Sequence, residues 1–535
     1  VGGTEKFKEI TEYFFNSPIE VLTLWGLSTE NWNREQAELD YLMKLFIETL
    51  EKWKSKYPVF LRPRRFGKSL LVSTLQALYE GKKELFDGLY IADKWDFSRT
   101  NPTIVIYFNQ MSLRDVGLEQ SLITTLKNEA RRHQVTIESE GVGFMFQELI
   151  EKLHVKTGRK AVVLIDEYDK PIVDFLEELN IAQKNRSILK SFYGILKPTD
   201  EHLEFVLLTG VSKFAKVSVF SDLNNLRDIT LNPQFSDLVG ITHDELVSNF
   251  KAEIAHLAYQ KGITKEVFLG QIKHWYNGYS WGGNVSVYNP FSLLNFFADN
   301  GSFKNYWFST GTPTWLIGLL RKQGIYQIEG QEVSEISLDT FDIEQLEVYP
   351  ILFQTGYLTI RSKEDGIFVL DYPNQEVKQS FLQYLLQSYR QGSLGEGLPL
   401  VLHLRNALQA KDLEKAIEII NTVFSSLPYD LWQNENERFY HALIHLTFTL
   451  LGVYVQSEVH TSRGRCDALV QTQRYVYAFE FKLDKTAEEA LQQINKKGYL
   501  TPYKHSGKIL VVVGVNFSTE TKSVEIWEVE SLSID

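Results

Sequence analysis

Apolar positions along the chain fall into two patterns. Four short runs are apolar almost throughout: YPVFL (57–61), TIVIYF (103–108), KAVVLID (160–166) and EFVLLTG (204–210). Between them, apolar residues recur three and four positions apart. Runs of the first kind read as strands buried on both faces, and their alternation with helices predicts a parallel α/β sheet. Leu70, Leu71, Leu75 and Leu78 mark the expected apolar stripe of the helix that follows YPVFL. Nearer the start, IEVLTLWGL (19–27) predicts a strand and EQAELDYLMKLFIETLEKWK (35–54) a helix.

From 243 to 409 the pattern turns mainly helical, rich in aromatics and poor in strong strands. The remainder predicts a compact αβββαβ unit. A helix ERFYHALIHLTFTLLG leads into strands VYVQSEVH, CDALVQT and VYAFEFKL, then helix AEEALQQINKKGY and strand KILVVVGVNF. Four segments follow: 1–52, 53–242, 243–409 and 410–535.

Composition narrows the classes. A chain of 535 residues has room for several cores, and a net charge of −12 gives no global attraction to nucleic acid. One cysteine, Cys466, excludes an intramolecular disulfide framework. No run is long and apolar enough to span a membrane, and no signal pattern opens the chain. A cytoplasmic protein is the expectation.

The chemistry begins at RPRRFGKS (62–69). Gly67, Lys68 and Ser69 match the second half of the phosphate-loop pattern: close backbone approach, a cation for phosphate oxygens and a hydroxyl for Mg2+. Arg62 stands where the first glycine of that pattern belongs, with Arg64 and Arg65 behind it. The strand AVVLID ends in Asp166 and Glu167, an acid pair suited to holding Mg2+ and to activating water. LLTGVSKF places Thr209, Ser212 and Lys213 at the end of the next strand, where polar residues can sense a γ-phosphate. Each element alone is a common turn or strand end; the three together predict an ATP–Mg2+ site.

These motifs, with LIDEYDKPI, LTGVSKFAKVSVFSDLNNLRDITL, WYNGYSW, VYNPFSLL, YWFSTGTPTWLI and LFQTGYLTI, closely resemble the bacterial AAA-ATPase-like family that carries a C-terminal nuclease-like domain. The resemblance runs from about Tyr57 to the end. It makes the arginine at 62 the family's usual form, and implies a P-loop NTPase sheet with Arg62, Arg64 and Arg65 bracing phosphates or a partner loop. ATP is the implied partner and DNA the implied target, with room for an oligomer.

In the last segment, Glu480 and Lys482 alternate onto one strand face, and Asp467 sits near the start of the preceding strand. This D…E-x-K order resembles a PD-(D/E)xK nuclease, in which the carboxylates hold Mg2+ and the lysine positions water. Glu437 resembles that fold's helical acid and Gln493 its polar helper. His441 and His445, one helical turn apart, lack an evident third ligand and read as packed histidines.

VLTLWGLSTENWNREQAELDYLMKLF (21–46) resembles a different family, the undecaprenyl diphosphate synthases. The likeness covers about residues 1–52 and lacks both the DGNGRWA-type motif and the arginine-rich diphosphate-binding region. The expectation is an inactive prenyltransferase fragment ahead of an ATPase. Two functions stay open beside that of an ATPase coupled to a nuclease: a nucleotide-switched binding module with an inert nuclease fold, and the prenyltransferase itself.

Overall fold

The computed structural model describes residues 56–213, 225–282, 285–308, 314–339, 346–390, 397–425, 437–455, 468–521 and 523–532. The strand and helix expected over 19–54 lie outside the described residues. The chain divides into two compact units, Val1–Trp307 with Gly330–Asn374, and Phe308–Glu329 with Gln375–Asp535.

The first unit is built on a five-stranded, wholly parallel sheet, with β1 (Pro58–Leu61), β2 (Thr103–Tyr107), β3 (Ala161–Asp166), β4 (Leu203–Gly210) and the short β5 (Arg227–Asp228) in the order β2-β3-β4-β1-β5. β1 and β3 are buried at every position, as the apolar runs predict. Because β4 lies between β1 and β3, its C-terminal end falls between the loop after β1 and the acids after β3. Crevices at the carboxyl ends of parallel strands are where such sheets bind ligands.

Helix α1 (Lys68–Tyr79) covers one face, joining Leu71, Val72, Leu75 and Leu78 to Phe60, Val105, Leu164 and Leu207 of the sheet. The expected stripe is off by one side chain. Leu70 is 57% exposed and Val72 is fully buried in its place, since a helix turning 100° per residue sets 72, not 70, in line with 75 and 71. Helices α2 (Leu118–Arg132), α3 (Val142–Thr157) and α4 (Leu179–Gly194) pack on one another, with Phe146 stacked on Phe192 at 4.5 Å.

The same unit contains an aromatic helical layer. Phe268, Ile272 and Tyr276 of α5 (Lys265–Tyr276) meet Leu293 and Phe296 of α6 (Pro290–Ala298). It also contains α7 (Val348–Thr355) and an antiparallel sheet in the order β6-β8-β7 (Gln331–Ser334, Ile367–Asp371, Thr359–Glu364). These strands escape pattern reading because β7 is buried only at its first two residues.

In the second unit, α8 (Gln375–Arg390) packs against α9 (Glu437–Val455). A four-stranded sheet follows, of β9 (Ala468–Gln471), β10 (Tyr475–Leu483), β11 (Ile509–Ser518) and β12 (Ser523–Leu532), in the order β12-β11-β10-β9. β10 and β11 run parallel, joined through α10 (Ala487–Lys497). The sequence VYVQSEVH, expected as a strand, contributes 453–455 to α9, and its remainder lies outside the described residues. No local pattern announces β12. It is an edge strand with Ile526 and Val529 exposed, and a bulge opposite Asn516 and Phe517 breaks its alternation. No helix among the described residues is long and apolar enough to cross a membrane.

Candidate functional site

The loop after β1 is held from beneath by the residue that displaces its first glycine. Arg62 is 1% exposed, and its guanidinium donates to the carbonyls of Leu61 (2.8 Å), Thr230 (3.0 Å) and Phe235 (2.7 Å). It also lies 4.0 Å from the ring centre of Trp281 and 4.4 Å from that of Phe60. Burial pulls the guanidinium down to about 9, while Asp228 and Asp237 pull it back, so it remains a cation at neutral pH. The side chain expected on the phosphates is engaged in the scaffold instead: five donors in a rigid fork suit a ring of backbone carbonyls.

Arg64 and Arg65 are exposed. The Arg64 carbonyl accepts from the Trp307 indole at 3.0 Å, and Arg65 lies over Phe291 at 4.7 Å in a left-handed conformation (φ 69°). Phe66 is enclosed edge-on by Tyr279 (4.8 Å) and Trp281 (5.3 Å). Gly356 packs so close to Pro63 that a Cβ there would lie 2.6 Å from the proline ring. The motifs WYNGYSW, VYNPFSLL, YWFSTG and LFQTGY thus converge on one loop.

Gly67 caps α1 at φ 86°, with open space around the position a Cβ would take. Backbone conformation, not crowding, explains the glycine. Lys68 is buried and donates to the carbonyls of Arg62 and Pro63, both at 2.9 Å. Burial lowers its ammonium, and the charges of Glu167, Asp166 and Asp169 oppose that shift.

Asp166, fully buried, ties three elements together. Its Oδ2 accepts from Ser69 Oγ and its Oδ1 from Thr209 Oγ1, each at 2.5 Å. Glu167 follows in a left-handed conformation (φ 57°). Burial raises its carboxyl above the ordinary range, against the pull of Lys68. Ser212 and Lys213 are buried as well. Ser212 donates to Asp169 at 2.7 Å, while the Lys213 ammonium pairs with Asp228 at 3.1 Å and its amide donates to Gln354. Lys213 therefore sits in an ion pair beside the loop's support, since Thr230 of the same LRDITL stretch receives the Leu61 amide.

Sequence reasoning missed Asp169, Asp228, Thr230, Trp281 and Trp307. All five lie inside quoted motifs, but nothing in their spacing reveals that they meet RPRRFGKS.

In the second unit, Glu480 is 2% exposed on β10, and its Oε1 accepts from Lys482 Nζ at 2.9 Å and from Gln493. Lys482 also donates to Gln493 Oε1 at 2.8 Å, closing a three-residue ring. Gly514, opposite Glu480 on β11, lets α10 approach: a Cβ there would lie 2.3 Å from the Ala487 carbonyl. Asp467 lies outside the described residues, and Glu437 is described only as the first residue of α9. His445 packs beside Tyr326 at 5.4 Å, and burial lowers its imidazole.

Among the described residues, no group of three or more His, Cys, Asp or Glu forms a cation cage. The Ser69–Asp166 pair still fits Mg2+, which takes one or two protein oxygens and completes its shell with water and phosphate.

Residues 38–220 match the family described as predicted AAA-ATPase, and residues 435–527 match the PD-(D/E)XK nuclease superfamily. An uncharacterised protein in the vnfD 5′ region of Azotobacter chroococcum is 37% identical over 487 residues, covering 88% of this chain and 91% of that one. The chain belongs to the AAA-ATPase-like family with a PD-(D/E)XK nuclease-like domain. Residues 1–65 match a third family, putative undecaprenyl diphosphate synthase. Over 55 residues the chain is 44% identical to an isoprenyl transferase of Wolinella succinogenes and 42% to one of Helicobacter pylori, in each case 24% of the relative's length. The AAA-ATPase-like and prenyltransferase matches overlap at 38–65.

Proposed function

We propose that this protein is a Mg2+-dependent ATP hydrolase whose nuclease-like unit acts on DNA. The observation that carries the reading is the single carboxylate of Asp166, joined at 2.5 Å to a hydroxyl at the start of α1 and to a hydroxyl at the end of β4. Lys68 and the free amides at the start of α1 bind phosphate oxygens, and the helix dipole favours the anion. Ser69 and Asp166 hold Mg2+, which when bound neutralises charge on the β- and γ-phosphoryl oxygens. Glu167, with its raised carboxyl and the charge of Lys68 nearby, orients the attacking water and takes its proton. Thr209, at the end of β4, reports on the γ-phosphate side.

In the nuclease-like unit, Glu480 offers a cation ligand and Lys482 positions water; Asp467 and Glu437 complete the ligand set in this reading. The N-terminal stretch, spanning about a quarter of its relatives, carries no isoprenyl transfer of its own in this reading.

The test is the purified full chain with ATP, Mg2+ and plasmid or single-stranded DNA. The expected result is ATP turnover that Lys68→Ala abolishes and DNA cleavage that Glu480→Gln abolishes. ATP turnover unchanged in Lys68→Ala would sink the nucleotide-site assignment. Nucleotide binding without any DNA cleavage by the wild type, under all divalent metals, would identify a nucleotide-switched binding module instead.

A further inference from the structure

Glu167 has a task that demands precise placement and little of its own to secure it. Its carboxylate makes no hydrogen bond among the described residues, and its backbone is left-handed at φ 57°, a conformation that costs a non-glycine residue about 1 kcal/mol. What surrounds it must hold it. Immediately before it, Asp166 is fixed by Ser69 and Thr209. After it, the Tyr168 amide donates to the Thr209 carbonyl at 2.9 Å, and the Tyr168 hydroxyl donates to the Ser212 carbonyl at 2.8 Å.

Asp169 does most to close this arrangement. It is 2% exposed and accepts from the Val211 amide (3.2 Å), the Ser212 amide (2.7 Å) and the Ser212 hydroxyl (2.7 Å). Its own carbonyl accepts from Ile172 and Val173, which anchors the residue to the short helix Lys170–Val173. Gly210 is the matching piece. A Cβ there would lie 2.6 Å from Asp169 Oδ1 and 2.6 Å from the Tyr168 ring, so only glycine lets the two segments close.

We propose that Asp169 is a positioning residue for ATP hydrolysis: it latches Val211 and Ser212, just past β4, to the β3 end and thereby fixes Glu167. The inference rests on the hydrolase reading above. A buried carboxylate accepting backbone amides is a strong, directional clamp, worth more than neutral bonds of the same length. Its carboxylate is taken up by Val211 and Ser212, so in this reading it acts through Glu167. Releasing it loosens that segment and lets Glu167 leave the strained conformation, which harms the chemical step more than nucleotide binding at Lys68.

The test compares wild type, Asp169→Asn, Ser212→Ala and the double variant. It measures steady-state ATP turnover, affinity for a fluorescent ATP analogue and thermal unfolding. Asp169→Asn is expected to lower kcat by roughly tenfold to a hundredfold, as small misplacements of a reacting group do. KM and analogue affinity should stay within about threefold of wild type, the split that distinguishes positioning from binding. Ser212→Ala should lower kcat less, and the double variant should be no slower than Asp169→Asn, because both changes release one latch. Wild-type kcat in Asp169→Asn, fully additive losses, or affinity falling in step with kcat would each overturn the proposal. Should Asp169→Asn fail to fold, Ser212→Ala decides alone: a kcat loss at constant affinity supports the latch and an unchanged kcat removes it. A wild type without turnover removes the hydrolase reading itself, which the wild-type trace alone distinguishes from failure of the latch.

Discussion

The two candidate centres are assembled in opposite ways. The nuclease-like ring closes within fourteen residues, from Glu480 on β10 to Gln493 on α10, and its geometry follows from strand alternation and one helix packed over Gly514. The phosphate loop draws its supports from Asp166, Thr209, Asp228, Thr230, Trp281, Trp307 and Gly356, which lie from about one hundred to nearly three hundred residues beyond it in the chain. The first centre should tolerate damage outside its own unit's sheet and helix. The second depends on the folding of its whole unit, because no local segment can supply the carbonyls and rings that hold Arg62.

The largest expected effect separates the two. Glu480→Gln should remove DNA cleavage by on the order of a hundredfold or more while leaving ATP turnover in place. Equal loss of both activities in this variant would mean that the centres are not independent in this sense.

Next is Arg62→Ala, which leaves three buried carbonyls without their donor and empties the space over Trp281. A loss of about 3 kcal/mol in unfolding free energy is expected, along with weakened nucleotide binding. Chemical denaturation checks the first and analogue titration the second. If stability is unchanged while binding is lost, Arg62 contacts phosphate directly and its scaffold role is wrong.

A smaller effect concerns pH. Burial raises the Glu167 carboxyl, so the residue is protonated, and idle as a base, at a pH where an ordinary glutamate is still ionised. The acid limb of the ATP turnover profile should therefore lie above the ordinary carboxylate range; a limb within that range would argue against Glu167 as the base.

The smallest lies away from either centre. Burial alone would raise Glu80, but bonds from Lys82, Thr103 and Gln76 hold it at about 2. A carboxyl depressed in the folded state contributes stability that is present above its unfolded pKa and lost as pH falls toward 2. Glu80→Gln should flatten the acid side of the stability curve, measured as the unfolding midpoint between pH 5 and pH 2.5, with activity near neutrality unchanged.

Much was legible in the residue order. Strands buried on both faces announce themselves as continuous apolar runs, so β1 to β4 and their parallel pairing follow from local pattern. Gly67, Lys68 and Ser69 are contiguous, Asp166 ends its strand, and Glu480 and Lys482 share a face because side chains alternate. These relations are one-dimensional, and the sequence determined them alone. It also carried the aromatic motifs from 275 to 360, but as letters without a destination.

The tertiary structure decided what those motifs surround and which charges are spent on scaffold. Arg62 and Lys213 look like phosphate ligands in the sequence because both stand beside glycine-bearing turns. In the fold, one is enclosed by Trp281 and three carbonyls, and the other is paired with Asp228. In the sequence Asp169 is only one acid of DEYD; its partners depend on β4 lying beside β3. That strand order brings the Val211 and Ser212 amides, more than forty residues distant, within reach of its carboxylate. Local spacing sets which side chains share a face, but a buried charge's partner is set by whichever strand packs beside it.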